Sequence, residues 1–336
     1  PKTPKPLMRE IIIKSLINIF NMKRSTKIAV GGFATLSLLT AGALLYSEYH
    51  QDNSIEAAAT AQFTRYLSQH GKSYGTPQEF AHRQAIFAKN SNYINEWNSG
   101  HKTHKLAHNH MSDWTDDERK KMLGLKVGRR EGKTHFVQAG STLPPSVNWV
   151  TSGAVTAVKD QGQCGSCWSF STTGAIEGLY AIKTGNLKSF SEQQLIDCSS
   201  SYGNNGCNGG WYDYAFKYIE AGNKLELESE YAYKGVQGTC NYNSNSNTAV
   251  GSLSSFSDVI SNSTTSLQTV LAYGGPVSVA IDATSDLFNY YTSGVITDAG
   301  CGTNLDHAVL AVGYGTDPTY GGYFLVKNSW SSAWGE

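Results

Sequence analysis

The sequence predicts an α+β fold, on three observations. Six residues between Glu79 and Asn98 recur at helical spacing, two further helix starts are written at Cys167 and Ser191, and from about Val250 the pattern changes to short β-branched and aromatic runs. Helices before strands in the region after Leu143 suggest two subdomains, one helical and one β-rich, meeting at a cleft.

The first element is the charge-free apolar run Ile28–Tyr46, which follows Lys23, Arg24 and Lys27 and contains the small-residue triplet Ala41-Gly42-Ala43. That layout reads as an export signal over residues 22–46, with a retained membrane anchor as the other reading. Met22 stands directly before the basic cluster, so residues 1–21 read as an upstream extension. Glu56–Ser68 is helix-prone. Next, Glu79, Arg83, Phe87, Asn90, Ile94 and Asn98 are spaced four, four, three, four and four, which puts all six on one helix face about 100° wide. Phe87 and Ile94 mark the face as buried, so its polar members require internal partners: Glu79 for Arg83, backbone groups for the asparagines.

A His-rich turn and the charged patch Asp116–Lys121 follow. Gly124–Gly140, polar and without helical period, reads as extended and accessible. Leu143-Pro144-Pro145 marks a boundary. Beyond it, Cys167–Gly185 has apolar residues at helical intervals and closes on a glycine, and Ser191-Glu192-Gln193-Gln194 has a capping-box pattern. The strands are PVSVAID from 276, AVLAVGYG from 308 and YFLVKNSW from 323.

The net charge of zero hides an asymmetry. From Leu143 on there are seven Lys and no Arg against sixteen Asp and Glu, whereas residues 46–142 carry thirteen basic against ten acidic groups and seven of the nine histidines lie between His70 and His135. Two parts that attract each other with pH-dependent strength are expected. No basic run interleaved with aromatics occurs in the later part, which excludes nucleic acid as a partner. All six cysteines lie after residue 160, as a disulfide framework in an oxidising compartment would have them. A zinc set would want a second C-x-x-C or a paired His, and the later part has one His, so neither metal nor cofactor is expected.

The stretch Gln161–Phe170, QGQCGSCWSF, poses a choice: Cys164 and Cys167 are a redox pair, half a zinc site, or one structural and one reactive cysteine. Cys167 sits where a helix starts, and the unpaired N–H groups there favour a thiolate. A nucleophile needs a base, for which His307 is the candidate. His307 precedes one strand and Asn328 ends the next, with TDPTYGG between them, so a hairpin makes them near-opposite partners unless a bulge shifts the register by one or two. An Asn amide there would orient the imidazole, and Trp330 would shield that bond from water.

Cys164–Trp168, CGSCW, is the signature of papain and cathepsin cysteine peptidases, and the chain resembles that family. The stripe Glu79–Asn98 is similar to the ERFNIN helix of the cathepsin L-type inhibitory propeptide, and Ala107-x-Asn109-x-Met111-x-Asp113 to its second motif, with Ala and Met in place of Gly and Phe. GCNGG, DCS, LDHAV and KNSW complete a resemblance running from about residue 57 to 336. It implies a papain-like two-subdomain fold, a helical left and an antiparallel β-barrel right subdomain, preceded by a helical propeptide. The expected divisions are 57–115 for the helical propeptide, 116–142 for an extended cleft-spanning segment and 143–336 for a peptidase domain incomplete at its C-terminal end.

The resemblance also implies roles: Cys167 as nucleophile, His307 as its partner and general acid, Asn328 as orienter, Gln161 as oxyanion-hole donor. Gly209 and Gly210 would let substrate backbone approach, and Trp211, Tyr212, Ala280, Leu305 and Ala308, with Trp330 nearby, would surround the main specificity pocket. Cys164 would pair with Cys207 and Cys198 with Cys240, leaving Cys301 without a partner in this chain. What is implied is a monomeric cysteine endopeptidase precursor acting on proteins and peptides, inhibited by its own propeptide until acid releases it. Its place is the secretory route, in a lysosome, a digestive vacuole or outside the cell, with membrane contact only if the N-terminal segment is retained. A catalytically inactive homologue acting through its propeptide would carry most of the same motifs.

Overall fold

The computed structural model describes residues 56–100, 103–130, 133–134, 142–243, 245, 250–297 and 301–336. The expected signal, the extension before it and the stretch 135–141 leading to Leu143 lie outside these residues. The chain divides into two units, one ending at Gln69 and one beginning at His70. The first contributes a single described helix, α1, residues 56–69, on which Phe63, Tyr66 and Leu67 share a face and the Phe63 and Tyr66 rings stack at 6.0 Å.

The second unit opens with α2, Pro77–Gly100, which carries the six-residue stripe. Each polar member has a partner inside the protein. Arg83 donates to Glu79 Oε1 at 2.6 Å and to Asp113 O at 3.0 Å, and it forks onto Glu118, with Nη2–Oε1 at 2.7 Å. Asn90 donates to Ser112 O, and Asn98 exchanges two bonds with the backbone of Leu106. Asp113, fully buried, takes Lys72 and Tyr74. Asn109 Nδ2 donates to Asn289 O.

Glu118 belongs to α3, Asp116–Lys120, whose N-cap Thr115 makes a complete capping box with it. Thr115→Ala is expected to cost about 1 kcal/mol in the unfolding free energy of the full chain, measured by denaturant titration. An unchanged midpoint would mean that Arg83 alone holds Glu118.

Strand β1, His104–Leu106, pairs antiparallel with β6, Tyr291–Gly294, which follows the short helix α8, Asp286–Asn289. Fully buried Tyr290 packs there with Ile94, Trp97, Leu106 and Leu287, and its hydroxyl accepts from Arg119 at 2.7 Å. Further on, β2, Lys133–Thr134, pairs in parallel with β4, Ser257–Asp258.

After Leu143 come two subdomains. The helical one holds α4, Cys167–Thr184, α5, Glu192–Cys198, and α6, Tyr212–Glu220, around Trp168, Ile176, Phe190, Leu195, Ile219 and Leu225. Helix α4 ends at Gly185 with φ +74°. The Ser191 cap is only half a box: Ser191 Oγ accepts from Gln194 N, but the Gln194 side chain turns instead to Tyr218, Lys224 O and Glu226 N.

The β-rich subdomain is an antiparallel sheet centred on β7, His307–Asp317. One edge of β7 takes β5, Val277–Ile281, and then β3, Val147–Asn148, while the other takes β8, Gly321–Lys327. Helix α7, Thr264–Tyr273, packs Leu271 against Ala311 and Tyr314. The first turns of α4 are wholly buried and join the subdomains, since Ser171 Oγ donates to Val309 O and Ser171 O accepts from Ser278 Oγ.

Candidate active site

Cys167 opens α4 and is fully buried, and the backbone amides of Ala308, Gly124 and Trp168 are near enough to its sulfur to favour the thiolate. Ala308 follows His307, so the first turn of α4 and the first residues of β7 meet at this sulfur. His307, equally buried, has Nε2 2.7 Å from Asn328 Oδ1. An amide oxygen only accepts, so Nε2 carries the hydrogen and Nδ1 keeps its lone pair. Nδ1 is buried with no hydrogen-bond partner. The Ser329 N–H also donates to Asn328 Oδ1, at 2.8 Å, which fixes the oxygen end of that amide toward the ring. Trp330 lies over the imidazole with centroids 4.8 Å apart.

The register differs from an ideal hairpin. A bulge between Ala311 and Gly313 leaves Leu310 opposite Lys327, so continuing the ladder would set His307 across from Trp330. Strand β8 stops at Lys327, and Asn328 reaches His307 from the end of the strand rather than from across it.

Gln161 is fully buried and held on three sides. Its N–H donates to Ser329 O, its Oε1 accepts from Ser329 Oγ at 2.7 Å, and its Nε2 donates to Cys164 O at 2.9 Å. Nε2 donates also to Met122 O at 2.9 Å. The segment that follows Met122 crosses Cys167. Gly124 O accepts from Gly210 N, Lys126 N donates to Gly210 O, and Leu125 N donates to Asp306 O, all at 2.9–3.0 Å. Leu125, 4 % exposed, shares one apolar cluster with Trp211 and Ala308, with Tyr212 and Ala280 packed against it. Leu305 stands outside that cluster and is exposed. The expectation that Gly124–Gly140 is accessible is therefore wrong at its start: Gly124 and Leu125 are buried, three residues pair with backbone across the site, and exposure begins at Lys126.

The glycines do different things. A Cβ on Gly124 would lie 1.9 Å from Gly165 O, and one on Gly209, at φ +112°, would lie 2.6 Å from Gly124 O. On Gly210 it would instead strike Asn204 Oδ1 at 2.4 Å and the Trp168 ring. Gly209 thus admits the crossing segment, while Gly210 is small because the protein's own interior requires it.

Charge is the second departure from the sequence reading. The start of α4 was expected to favour a thiolate, but burial pushes the Cys167 thiol up to about 11, outweighing the amides of Ala308, Gly124 and Trp168. Burial likewise drives His307 down to about 4, against the Asn328 bond. Covered in this way, the pair rests as thiol and neutral imidazole. Disulfides join Cys164 to Cys207 and Cys198 to Cys240, and Cys301 is exposed and belongs to neither.

Residues 143–336 match the papain family cysteine protease model, and residues 63–118 match the cathepsin propeptide inhibitor domain. The chain belongs to the papain family of cysteine proteases. Among its relatives, digestive cysteine proteinase 2 of Homarus americanus is 44 % identical over 290 residues, covering 83 % of this chain and 88 % of the relative. Cathepsin L of Sarcophaga peregrina is 43 % identical over 287 residues, covering 81 % and 84 %. Among solved structures, digestive procathepsin L 3 of Tenebrio molitor larval midgut superposes with a TM-score of 0.76 at 42 % identity, over 83 % of this chain and 91 % of that one. The stem bromelain precursor follows at TM-score 0.75 and 35 % identity, over 83 % and 89 %. The protein is thus a cathepsin L-like cysteine endopeptidase precursor of the papain family, with a propeptide inhibitor domain of its own.

Sequence reasoning missed Met122, Gly124 and Leu125 as residues of this papain-family site. It also missed the buried group in which Lys159 Nζ lies 3.0 Å from Glu177 and 2.6 Å from Glu192. Glu177 was an available signal, a charge set within an otherwise apolar helix.

Proposed function

We propose that Cys167 attacks the scissile carbonyl, that His307 accepts its proton and returns one to the leaving amine, that Asn328 holds the imidazole, and that Gln161 Nε2 donates to the oxyanion. What carries this reading is the crossing segment itself: a peptide carbonyl, Met122 O, already occupies the Gln161 amide while Gly124, two residues on, covers the sulfur. Leu125 in the apolar cluster of Trp211, Ala280 and Ala308 supports a preference for a bulky apolar residue two places before the cut. The test is labelling with a thiol-reactive peptide epoxide carrying leucine at that place. Acid-treated protein is expected to take label at Cys167 alone; label absent from Cys167 in fully processed protein would favour a non-catalytic homologue.

Activation at acidic pH is the second part of the proposal, and the histidines support it better than the carboxylates do. The Arg83 guanidinium holds Glu118 down to about 2, so this anchor of the propeptide stays ionised in mild acid. His108, stacked on Phe87 at 4.2 Å and bonded to Ser91, and His110, edge-on to Trp114, are both held down to about 4 by burial. The charged neighbours are His70 beside His108, and Asp160, Lys72, His70 and Asp113 around His110.

A histidine held below its ordinary 6.5 favours the docked state fully above that pH, and the contribution is lost as pH falls from 6.5 toward 4. The loss is a few kcal/mol at most for the two together, by about 1.4 kcal/mol per unit and discounted for partial exposure. His108→Gln with His110→Gln is expected to move the midpoint of acid-triggered processing to lower pH. An unmoved midpoint would assign the switch elsewhere.

A further inference from the structure

We infer that the matured protease has a recognition site beyond its specificity pocket, formed by Asp258, Val259 and Ser261, which takes an arginine of an extended substrate upstream of the cut. This rests on the reading above, in which Leu125 lies where the substrate residue two places before the cut will lie. Arg130 stands five residues beyond Leu125, so at the same rise per residue the arginine falls about seven residues before the cut.

The site is filled by the chain's own Arg130. Its Nε lies 3.5 Å from Asp258 Oδ2, while Nη1 donates to Ser261 Oγ and Nη2 to Val259 O. Each of the three guanidinium nitrogens thus has its own oxygen, a fit to a planar fork that a point charge could not reproduce. Among the described residues no other cation pairs with Asp258, whose side chain is 15 % exposed with Arg130 in place. When Arg130 leaves, a carboxylate, a hydroxyl and a carbonyl are freed together, already placed for a second guanidinium.

The route from the pocket to this site is continuous. Lys126 N donates to Gly210 O at 2.9 Å, and Arg129 N to the Tyr214 hydroxyl at 3.4 Å. Gly128 passes so near that a Cβ on it would fall 2.4 Å from the same hydroxyl. Beyond Arg130, β2 adds to the edge of β4 at Ser257 and Asp258. Tyr212, packed against the apolar cluster that holds Leu125, has Arg130, Asp213 and Asp258 as its charged neighbours, so pocket wall and arginine site adjoin. An extended chain leaving the pocket on this side therefore meets backbone partners first and an acid next. The domain from Leu143 on, without Arg and rich in acid, draws a cationic segment toward it.

The test is steady-state kinetics of the matured enzyme on internally quenched peptides with leucine two places before the cut. At the seventh place they carry either arginine or its neutral isostere citrulline. The arginine peptide is expected to have a KM about three- to fivefold lower at equal kcat, as a partly exposed ion pair gives, and to lose the advantage at high salt. Asp258→Asn is expected to bring the two peptides to one KM. Should that variant fold poorly, Ser261→Ala is expected to shrink the advantage. Equal KM for the two peptides, with arginine tried from the sixth to the eighth place, overturns the proposal, as does an advantage that survives Asp258→Asn. Arg130 would then be an anchor of the propeptide only. No cleavage of either peptide sinks the peptidase reading, and this one with it.

Discussion

Gln161→Ala is expected to lower kcat/KM of the matured enzyme by about 10²–10³-fold, with the loss in kcat. The side chain needs no rearrangement on substrate binding, because Ser329 Oγ fixes its Oε1 and Ser329 O its main chain. Its Nε2 already holds a peptide carbonyl, that of Met122. On the proposed mechanism, once that carbonyl leaves, the N–H points at the place where a substrate oxygen gains charge, and a donor fixed in advance acts mostly on the charged state. Steady-state kinetics on a fluorogenic dipeptide amide distinguish the cases. A rise in KM with kcat intact would mean that the amide only binds ground-state substrate. The Ser329→Ala variant, which frees the amide while leaving it present, is expected to give a smaller loss of the same kind.

Gly124→Ala is expected to open the zymogen. The new Cβ would fall 1.9 Å from Gly165 O and 2.2 Å from its carbonyl carbon, both backbone and unable to rotate away. Overpacking of this kind costs about 1–3 kcal/mol, which is about 5–150-fold in the population that exposes Cys167. The reading is the rate at which Cys167 in the full chain takes a peptide epoxide at neutral pH. It should rise by that factor, while the rate for the matured enzyme stays the same, because Gly124 is then gone. An unchanged zymogen rate would mean that the crossing segment slides to absorb the methyl, and that the Arg83, Asn90 and Asn98 anchors alone hold it.

Much of this was legible in the residues because it is local or periodic. The α2 stripe carried its own geometry in its spacing, and Gly185 marked the end of α4 where the structure ends it. The His307–Asn328 contact was legible only as a neighbourhood, since nothing in AVLAVGYG announces the bulge that shifts its ladder. What could not be read depends on pairs far apart in sequence. Gly124 is an ordinary loop glycine until Gly165 is placed against it, and Leu125 looks exposed until Trp211 and Ala308 surround it. The protonation of Cys167 failed for the same reason. A helix start favours the anion in water, whereas this one is roofed by a segment 43 residues earlier in the chain, counting from Gly124 to Cys167.

The pairing of β1 with β6 has a consequence for the life of the molecule after activation. On the proposed activation, departure of the N-terminal part takes from Tyr291–Gly294 its pairing with β1, while Gly294 N keeps Glu336 Oε1 and Tyr291 O keeps Gly335 N, and the Tyr290 ring loses the walls supplied by Ile94, Trp97 and Leu106. Maturation would therefore leave a part-paired strand edge beside an unwrapped aromatic, a seat that an extended strand can use.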